Sequence, residues 1–428
     1  MLNILLCRTA FVYAIPASAG FLPARSHTAH TALYTFMVSE VRYTCVATAS
    51  FGLESVVRVE LEALGIQKAR AADRRVFFEG SARDIARCNL WLRTADRVLI
   101  QVSEFPAADF DALYEGVCAV HWKELLSSSA AIDVSARSVK SRLTATPSVQ
   151  SVAKKAIIDA MRGTRGGGQL SARMEETGPG YGVEIALHAD RASVCLDTTG
   201  PGLHKRGYRI ATGEAPLREN LAAALVLLSR WDGSRPFADP FCGSGTIAIE
   251  AALVAGSIAP GIGRAFAAEA WPLISPAIWK EAREQARAEE RRPAQIAIAG
   301  SDHDRKVIRA AEENARTAGV AELVRFHHAP IEAFMPEGDY GCMVCNPPYG
   351  LRLGEQKEVE KLYRAIGALF RGLPTWSLFA LSASEDFQKS FGARASRNRK
   401  LYNGNVRCWY YQYFGPLPGR AKHAAAER

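Results

Sequence analysis

From about residue 235 to about residue 415, short apolar runs alternate with segments of helical period, and this leaves few folds open. Strands separated by helices pair in parallel, with the helices on the faces of the sheet. The run "CMVCNPPYG" at 342–350 shows how such a strand must end. Two prolines follow Asn346; they forbid a helix and remove two donors from any ladder, so the chain leaves the strand in a rigid turn. A polar group is held there at the end of a sheet.

Two other strand ends carry polar groups. In "FADPFCGSGTIAIEAA" at 237–252 a strand ends in Asp239, turns through Gly243 and Gly245, and starts a helix near Thr246. The glycines allow close backbone approach to a ligand, and the acid before them suits a cation better than a pyrophosphate. The pattern is neither the Gly-x-Gly-x-x-Gly of dinucleotide folds nor a phosphate loop, because no Lys-Ser/Thr pair follows. In "QIAIAGSDHDRKVIRAAEENA" at 295–315 an apolar strand reaches Asp302 at the carboxyl edge, where a carboxylate can hold both hydroxyls of a ribose. Helix capping by Asp302 or Asp304 is the alternative. In a doubly wound α/β sheet Asn346 to Tyr349 share that edge, with the Asn346 oxygen and the Pro347 carbonyl as acceptors for an exocyclic amine and Tyr349 as a stacking face.

Composition constrains the rest. The chain has 428 residues, 48% hydrophobic and 23% charged, which fits two or three globular domains. Its 53 basic and 44 acidic residues leave a net charge of +9, favouring a polyanionic partner. Nine cysteines without a regular framework read as reduced thiols, and so as a reducing, cytoplasmic setting. Cys342 and Cys345 stand three apart on a strand and point to opposite faces, so no metal site is expected. Residues 1–41 are set apart as a leader or a mis-assigned start. The first 36 contain two arginines, no acid and an apolar run, and translation from Met37 is the simpler reading. No apolar run has transmembrane length.

The N-terminal half reads as two small α+β units. The first runs strand, helix, strand, helix: "RYTCVATA", "LESVVRVELEALG", "RRVFFEG" and "SARDIARCNLWLRTADRVLIQVSEF". The second has "FDALYEGVCAVHWKELL" as helix, "AIDVSARSV" as strand, "SVQSVAKKAIIDAMRG" as helix and "YGVEIALHADRASVCLDTTG" as two strands. Basic residues gather in it: Lys140, Arg142, Lys154, Lys155, Arg162, Arg165 and Arg173, with Lys205 and Arg206 in the basic loop that follows. They suit an RNA grip, although ordinary solvated charge accounts for any one of them.

The three strand ends, in this order, resemble a class I S-adenosylmethionine-dependent methyltransferase of the amino-methylating type, whose motif is Asn/Asp-Pro-Pro-Tyr/Phe. "GLHKRGYR", "APLRENLAAALVLLSRW", "RAFAAEAWP", "LPTWSLFALSASEDFQKSFG" and "RKLYNGNVRCWYYQY" extend the likeness, over roughly residues 40–415, to bacterial THUMP-domain methyltransferases related to the large-subunit rRNA guanine-N2 enzyme. The resemblance implies a ferredoxin-like domain at 42–100, a THUMP RNA-binding domain at 101–200, a Rossmann-like methyltransferase domain with a seven-stranded sheet at 201–415, and a disordered tail at 416–428.

It also implies roles. Asp239, Phe241, Gly243 and Gly245 would surround the methionine end of S-adenosylmethionine and Asp302 its ribose, with Cys242, Thr246 and His303 completing the cofactor set. Asn346, Pro347, Pro348 and Tyr349 would carry catalysis. One departure stands out: relatives usually place an aspartate after the third strand, at the adenine amine, where this chain has His327, His328, Ala329 and Pro330. Either Glu332 or a backbone amide substitutes there, or cofactor affinity is weakened. The implied partner is structured RNA, 23S rRNA foremost, with no membrane and no obligatory protein partner. The same tetrapeptide also serves adenine-N6 and glutamine-amide methylation, so guanine rests on the family likeness. A tRNA guanine-N2 methyltransferase and a non-catalytic RNA-binding or ribosome-assembly factor are the alternatives.

Overall fold

Two seven-stranded sheets organise the computed structural model, which describes residues 41–163, 175–210, 217–291, 297–350 and 356–418. The expected leader up to residue 40, the loop at 164–174 with Arg165 and Arg173, and the tail from 419 lie outside the described residues.

The first sheet is formed by β1 (Arg42–Ala49), β2 (Arg70–Ala72), β3 (Arg75–Ser81), β4 (Ala95–Pro106), β5 (Ala131–Val139), β6 (Gly180–His188) and β7 (Arg191–Asp197). Its order is β2-β3-β1-β4-β7-β6-β5, antiparallel throughout except between β5 and β6. Period-two alternation divides its faces. Cys45, Ala47, Val76, Phe78, Val98, Ile100, Val183 and Ile185 turn toward the main core. Helices α1 (Glu54–Ala63), α2 (Ala82–Trp91), α3 (Phe110–Cys118), the short α4 (Trp122–Leu125) and α5 (Thr146–Arg162) contribute to that core. The opposite face keeps only a small apolar cluster of Val46, Leu99 and Cys195 with Phe77.

Two expectations change here. The stretch 81–105, read as one helix, is a helix that stops at Trp91 followed by a strand of 12 residues. The break is chemical: Leu92 turns extended, and the amides of Arg93 and Thr94 are captured by the Glu60 carboxylate. The stretch 110–126 likewise splits, at Ala119 to His121. The two N-terminal units also share one sheet, because β4 pairs with β1 on one side and β7 on the other. The division expected at 100/101 falls inside that strand.

The second sheet contains β8 (Phe237–Asp239), β9 (Ile298–Asp302), β10 (Val324–His328), β11 (Cys342–Cys345), β12 (Ser377–Ser382), β13 (Arg397–Asn403) and β14 (Val406–Tyr413). The order is β10-β9-β8-β11-β12-β14-β13, parallel except at β14, which runs against both of its neighbours. The remaining helices are α6 (Glu219–Leu228), α7 (Thr246–Ala255), α8 (Pro276–Ala288), α9 (Arg305–Thr317), α10 (Gln356–Arg371) and α11 (Phe387–Phe391). Cys342 packs in the main core and Cys345 in the second cluster, so the two thiols do face opposite sides. From β8 the order runs outward to β9 and β10 on one side and to β11 on the other. That reversal leaves a crevice at the carboxyl ends of the strands.

One hydrophobic cluster runs through both sheets, and polar contacts lock the halves together. Arg93 donates to the Ile258 carbonyl at 2.8 Å, Asn220 to Asp96 at 2.8 Å, and the Trp271 indole to the Gly180 carbonyl at 3.0 Å while stacking on Tyr181.

Candidate active site

The three strand ends converge on one cavity of about 970 Å³. At the end of β8, Asp239 is 1% exposed. Its Oδ1 accepts from the Phe241 amide at 3.1 Å, and its Oδ2 has no hydrogen-bond partner among the described residues. Burial pushes its pKa up to about 8; the Phe241 amide bond pulls it down and the nearby Asp302 charge adds to the rise. A buried carboxyl with an unmet acceptor is suited to a cation.

The turn after Asp239 is open toward the cavity. Gly243 has φ +51°, with nothing near the position of a Cβ. Gly245 has φ +85°, and a Cβ there would lie 2.9 Å from the Phe326 ring. Gly245 caps α7, so the free amides at that helix start border the cavity beside Thr246.

At the end of β9, Asp302 faces the same cavity. Its Oδ2 accepts from the Gly243 amide at 3.1 Å and its Oδ1 from the Asp304 amide at 3.0 Å, with His303 Nδ1 3.2 Å from Oδ1. Asp304, not Asp302, caps α9, by accepting from the Lys306 amide at 2.7 Å. Asp302 is thereby left to the cavity. Beyond β10 the wall consists of Pro330, Ile331 and Glu332; His328 turns away to the His303 carbonyl at 3.0 Å.

The exit of β11 closes the site. Pro347 is buried and Pro348 exposed, and Gly350 completes the turn at φ +66°. Tyr363 donates to the Pro348 carbonyl at 2.9 Å and so pins the turn from α10. Tyr349 is half-buried and donates to Asn346 Oδ1 at 2.5 Å, and Asn403 Nδ2 approaches its hydroxyl at 3.4 Å. Burial raises the Tyr349 pKa, so the phenol stays a donor, directed inward at Asn346. The second lone pair of that amide oxygen remains for another donor.

Phe241 and Cys242 line the same cavity, so all eight cofactor candidates but Gly245 form its wall, and Gly245 supports it from behind. The sequence reading missed Asn403, Gly404 and Val406, which the β13–β14 hairpin brings to the rim, and Leu217 and Arg218 at the start of α6. The Asn-Gly-Asn turn in "LYNGNV" was the available signal for the hairpin.

The described basic candidates lie on several elements. Lys154, Lys155 and Arg162 lie on α5, where Lys154 pairs with Glu176 at 2.9 Å and Lys155 rests over the Tyr114 ring. Lys140 and Arg142 lie beyond β5, with Arg142 3.5 Å from Asp190, and Lys205 is exposed. Arg206 cannot touch RNA. It is 5% exposed, lies 3.3 Å from the buried Glu250 carboxylate, and donates to the Leu203 carbonyl at 2.7 Å.

Known proteins match this chain along its length. Residues 44–99 match the RlmL ferredoxin-like domain, 107–197 the THUMP domain, and 206–412 the RMKL-like methyltransferase domain. A Bacillus subtilis protein named "Putative RNA methyltransferase YpsC" is 44% identical over 382 residues, spanning 89% of this chain and 98% of its own. The crystal structure of SMU.472, a methyltransferase by name and complexed with SAH, superposes with a TM-score of 0.82 at 41% identity, covering 89% of this chain and all of that one. A Listeria monocytogenes structure named "predicted N6-adenine-specific DNA methylase" superposes with a TM-score of 0.81 at 40% identity, covering 92% of this chain and 99% of its own.

Proposed function

The chain belongs to the family of RMKL-like methyltransferases that carry RlmL ferredoxin-like and THUMP domains, and from that premise we propose that it methylates the exocyclic N2 amine of a guanine in 23S rRNA. It is an S-adenosylmethionine-dependent RNA methyltransferase; the guanine, the atom and the ribosomal subunit are the proposal.

The observation that carries the chemistry is the pairing, in one cavity, of the unpartnered Asp239 oxygen with the Asn346 acceptor. S-adenosylmethionine fits the residues present. Asp239 would meet its cationic methionine end, Asp302 its ribose, and Glu332 would stand for the missing aspartate at the adenine. When bound, it supplies an electrophilic methyl group. The residues of the chain do the rest. Asn346 Oδ1 and the Pro347 carbonyl accept the two amine hydrogens, which turns the nitrogen lone pair away from the ring and toward the cofactor side. Tyr349 holds Asn346 in register by the hydroxyl bond and offers its ring as the wall for a flipped base. No general base is needed, because the nitrogen becomes strongly acidic on methylation and its proton leaves for solvent.

The RlmL-type ferredoxin-like domain favours large-subunit rRNA over tRNA. The Listeria name keeps adenine N6 as a second reading of the same tetrapeptide. Methyl transfer from labelled S-adenosylmethionine to naked 23S rRNA, 16S rRNA and bulk tRNA, followed by nucleoside analysis, separates them. N2-methylguanosine in 23S rRNA alone is expected. The same nucleoside in tRNA, or N6-methyladenosine, would overturn the substrate.

A further inference from the structure

A second cavity, about 1420 Å³, is a trough over the uncovered face of the N-terminal sheet. Eight arginines and lysines line it against four carboxylates. Three of the basic groups are committed: Arg75 and Arg137 to Glu184, and Arg191 to Glu104. Lys68, Arg70, Arg74 and Lys140 have no carboxylate partner among the described residues and stand exposed on its rim. Asp73 and Glu79 stand exposed on the same lining, so the free charge is in positive excess, and a groove with a positive excess suits a phosphate backbone.

Phe51, 48% exposed, also lines the trough. Its ring meets Tyr402 edge to face at 5.8 Å, and the Lys400 ammonium lies 6.0 Å over Phe51 and 5.5 Å over Tyr402. The next residues, Asn403 and Gly404, already line the methyl-transfer cavity. The aromatic pair therefore stands between the trough and the catalytic pocket. Its position is fixed: Arg399 donates to the Gly52 carbonyl at 2.6 Å and to Ser55 Oγ at 2.8 Å, and Gly52, at φ +89°, leaves no room for a Cβ, which would lie 2.8 Å from the Lys400 carbonyl. A phenylalanine serving only to join two elements gains by being covered; this one keeps an open face beside a cation.

Resting on the RNA methyltransferase reading above, we propose that single-stranded RNA flanking the target nucleotide runs along the trough and over the Phe51–Tyr402 pair into the active site. The base next to the flipped one stacks on Phe51, Lys400 holds its phosphate, and Lys68, Arg70, Arg74 and Lys140 track the backbone beyond.

The test uses the full chain and naked 23S rRNA. Phe51→Ala is expected to weaken rRNA binding roughly 5- to 100-fold and to lower transfer in step, as loss of one stacked base does. Phe51→Trp should restore both, with S-adenosylmethionine affinity unchanged in either variant. The triple variant Lys68→Ala, Arg70→Ala, Arg74→Ala should reduce the slope of log affinity against log salt by about 2. Phe51→Ala and the triple variant binding rRNA like wild type would overturn the path, even if wild type methylates normally. Wild-type chain that binds rRNA through Phe51 yet methylates no RNA would instead overturn the proposed function and keep the path.

Discussion

A carboxyl group closed off from water beside a second carboxyl is stable as the neutral acid or against a cation. Asp239 is in that position, with its pKa pushed up to about 8 by burial and by Asp302. Because this folded value lies above that of an exposed carboxyl, holding the proton stabilises the ligand-free fold in full at pH values below the exposed carboxyl's range, and that contribution is lost progressively as the pH rises from there to about 8. A bound sulfonium and ammonium reverse the preference. S-adenosylmethionine affinity should therefore rise up to about tenfold per pH unit below pH 8 and then level off, with proton release on binding. Asp239→Asn should bind weakly and without that slope; calorimetry in buffers of different ionisation enthalpy reads both, and a flat wild-type profile would exclude the role. Asp239, Asp302 and Asn346 were legible because each ends an apolar run, a signal local in the chain. Arg206 was misread because its charge is local but its burial against Glu250, 44 positions away, is not.

The glycine turn between β8 and α7 works through conformation. Gly245 combines φ +85° with the Phe326 ring 2.9 Å from where a Cβ would stand, so neither backbone nor neighbour admits a side chain. Gly245→Ala should cost about 1–3 kcal/mol of stability through the strained backbone alone, and the shifted turn should weaken cofactor binding. Thermal melts beside cofactor titration check this; a variant matching wild type in both would show the turn to be adaptable. Elements of strong period, such as α5 and the strand–turn–helix at Asp239, were readable for the same local reason. The strand β4 was not, because the helix signal before it carried over a boundary set by Glu60, a distant acceptor. The hairpin that delivers Asn403 also escaped, since a turn can be read from "NGN" but not the cavity it borders.

Across the whole molecule, the N-terminal sheet and the methyltransferase sheet share one core and are pinned by buried charge. Arg206, with its side chain 2% exposed against a fully buried Glu250, also donates to the Arg93 carbonyl and so is a strut between them. Arg206→Ala should destabilise the protein by about 3–5 kcal/mol because it leaves Glu250 buried and unpaired. Thermal unfolding should remain a single transition at lower temperature; two separated transitions would mean that the halves are independent. The proposed function divides this molecule into three separable stations: an RNA grip, a cofactor seat at Asp239 and Asp302, and an amine acceptor at Asn346. The most direct measurement of that division is single-turnover methyl transfer by Asn346→Ala, with rRNA and S-adenosylmethionine affinities determined on the same preparation. Transfer should fall by roughly 100-fold or more through lost positioning while both affinities stay within a few-fold of wild type. Transfer at the wild-type rate, or loss of cofactor binding together with transfer, would contradict the account.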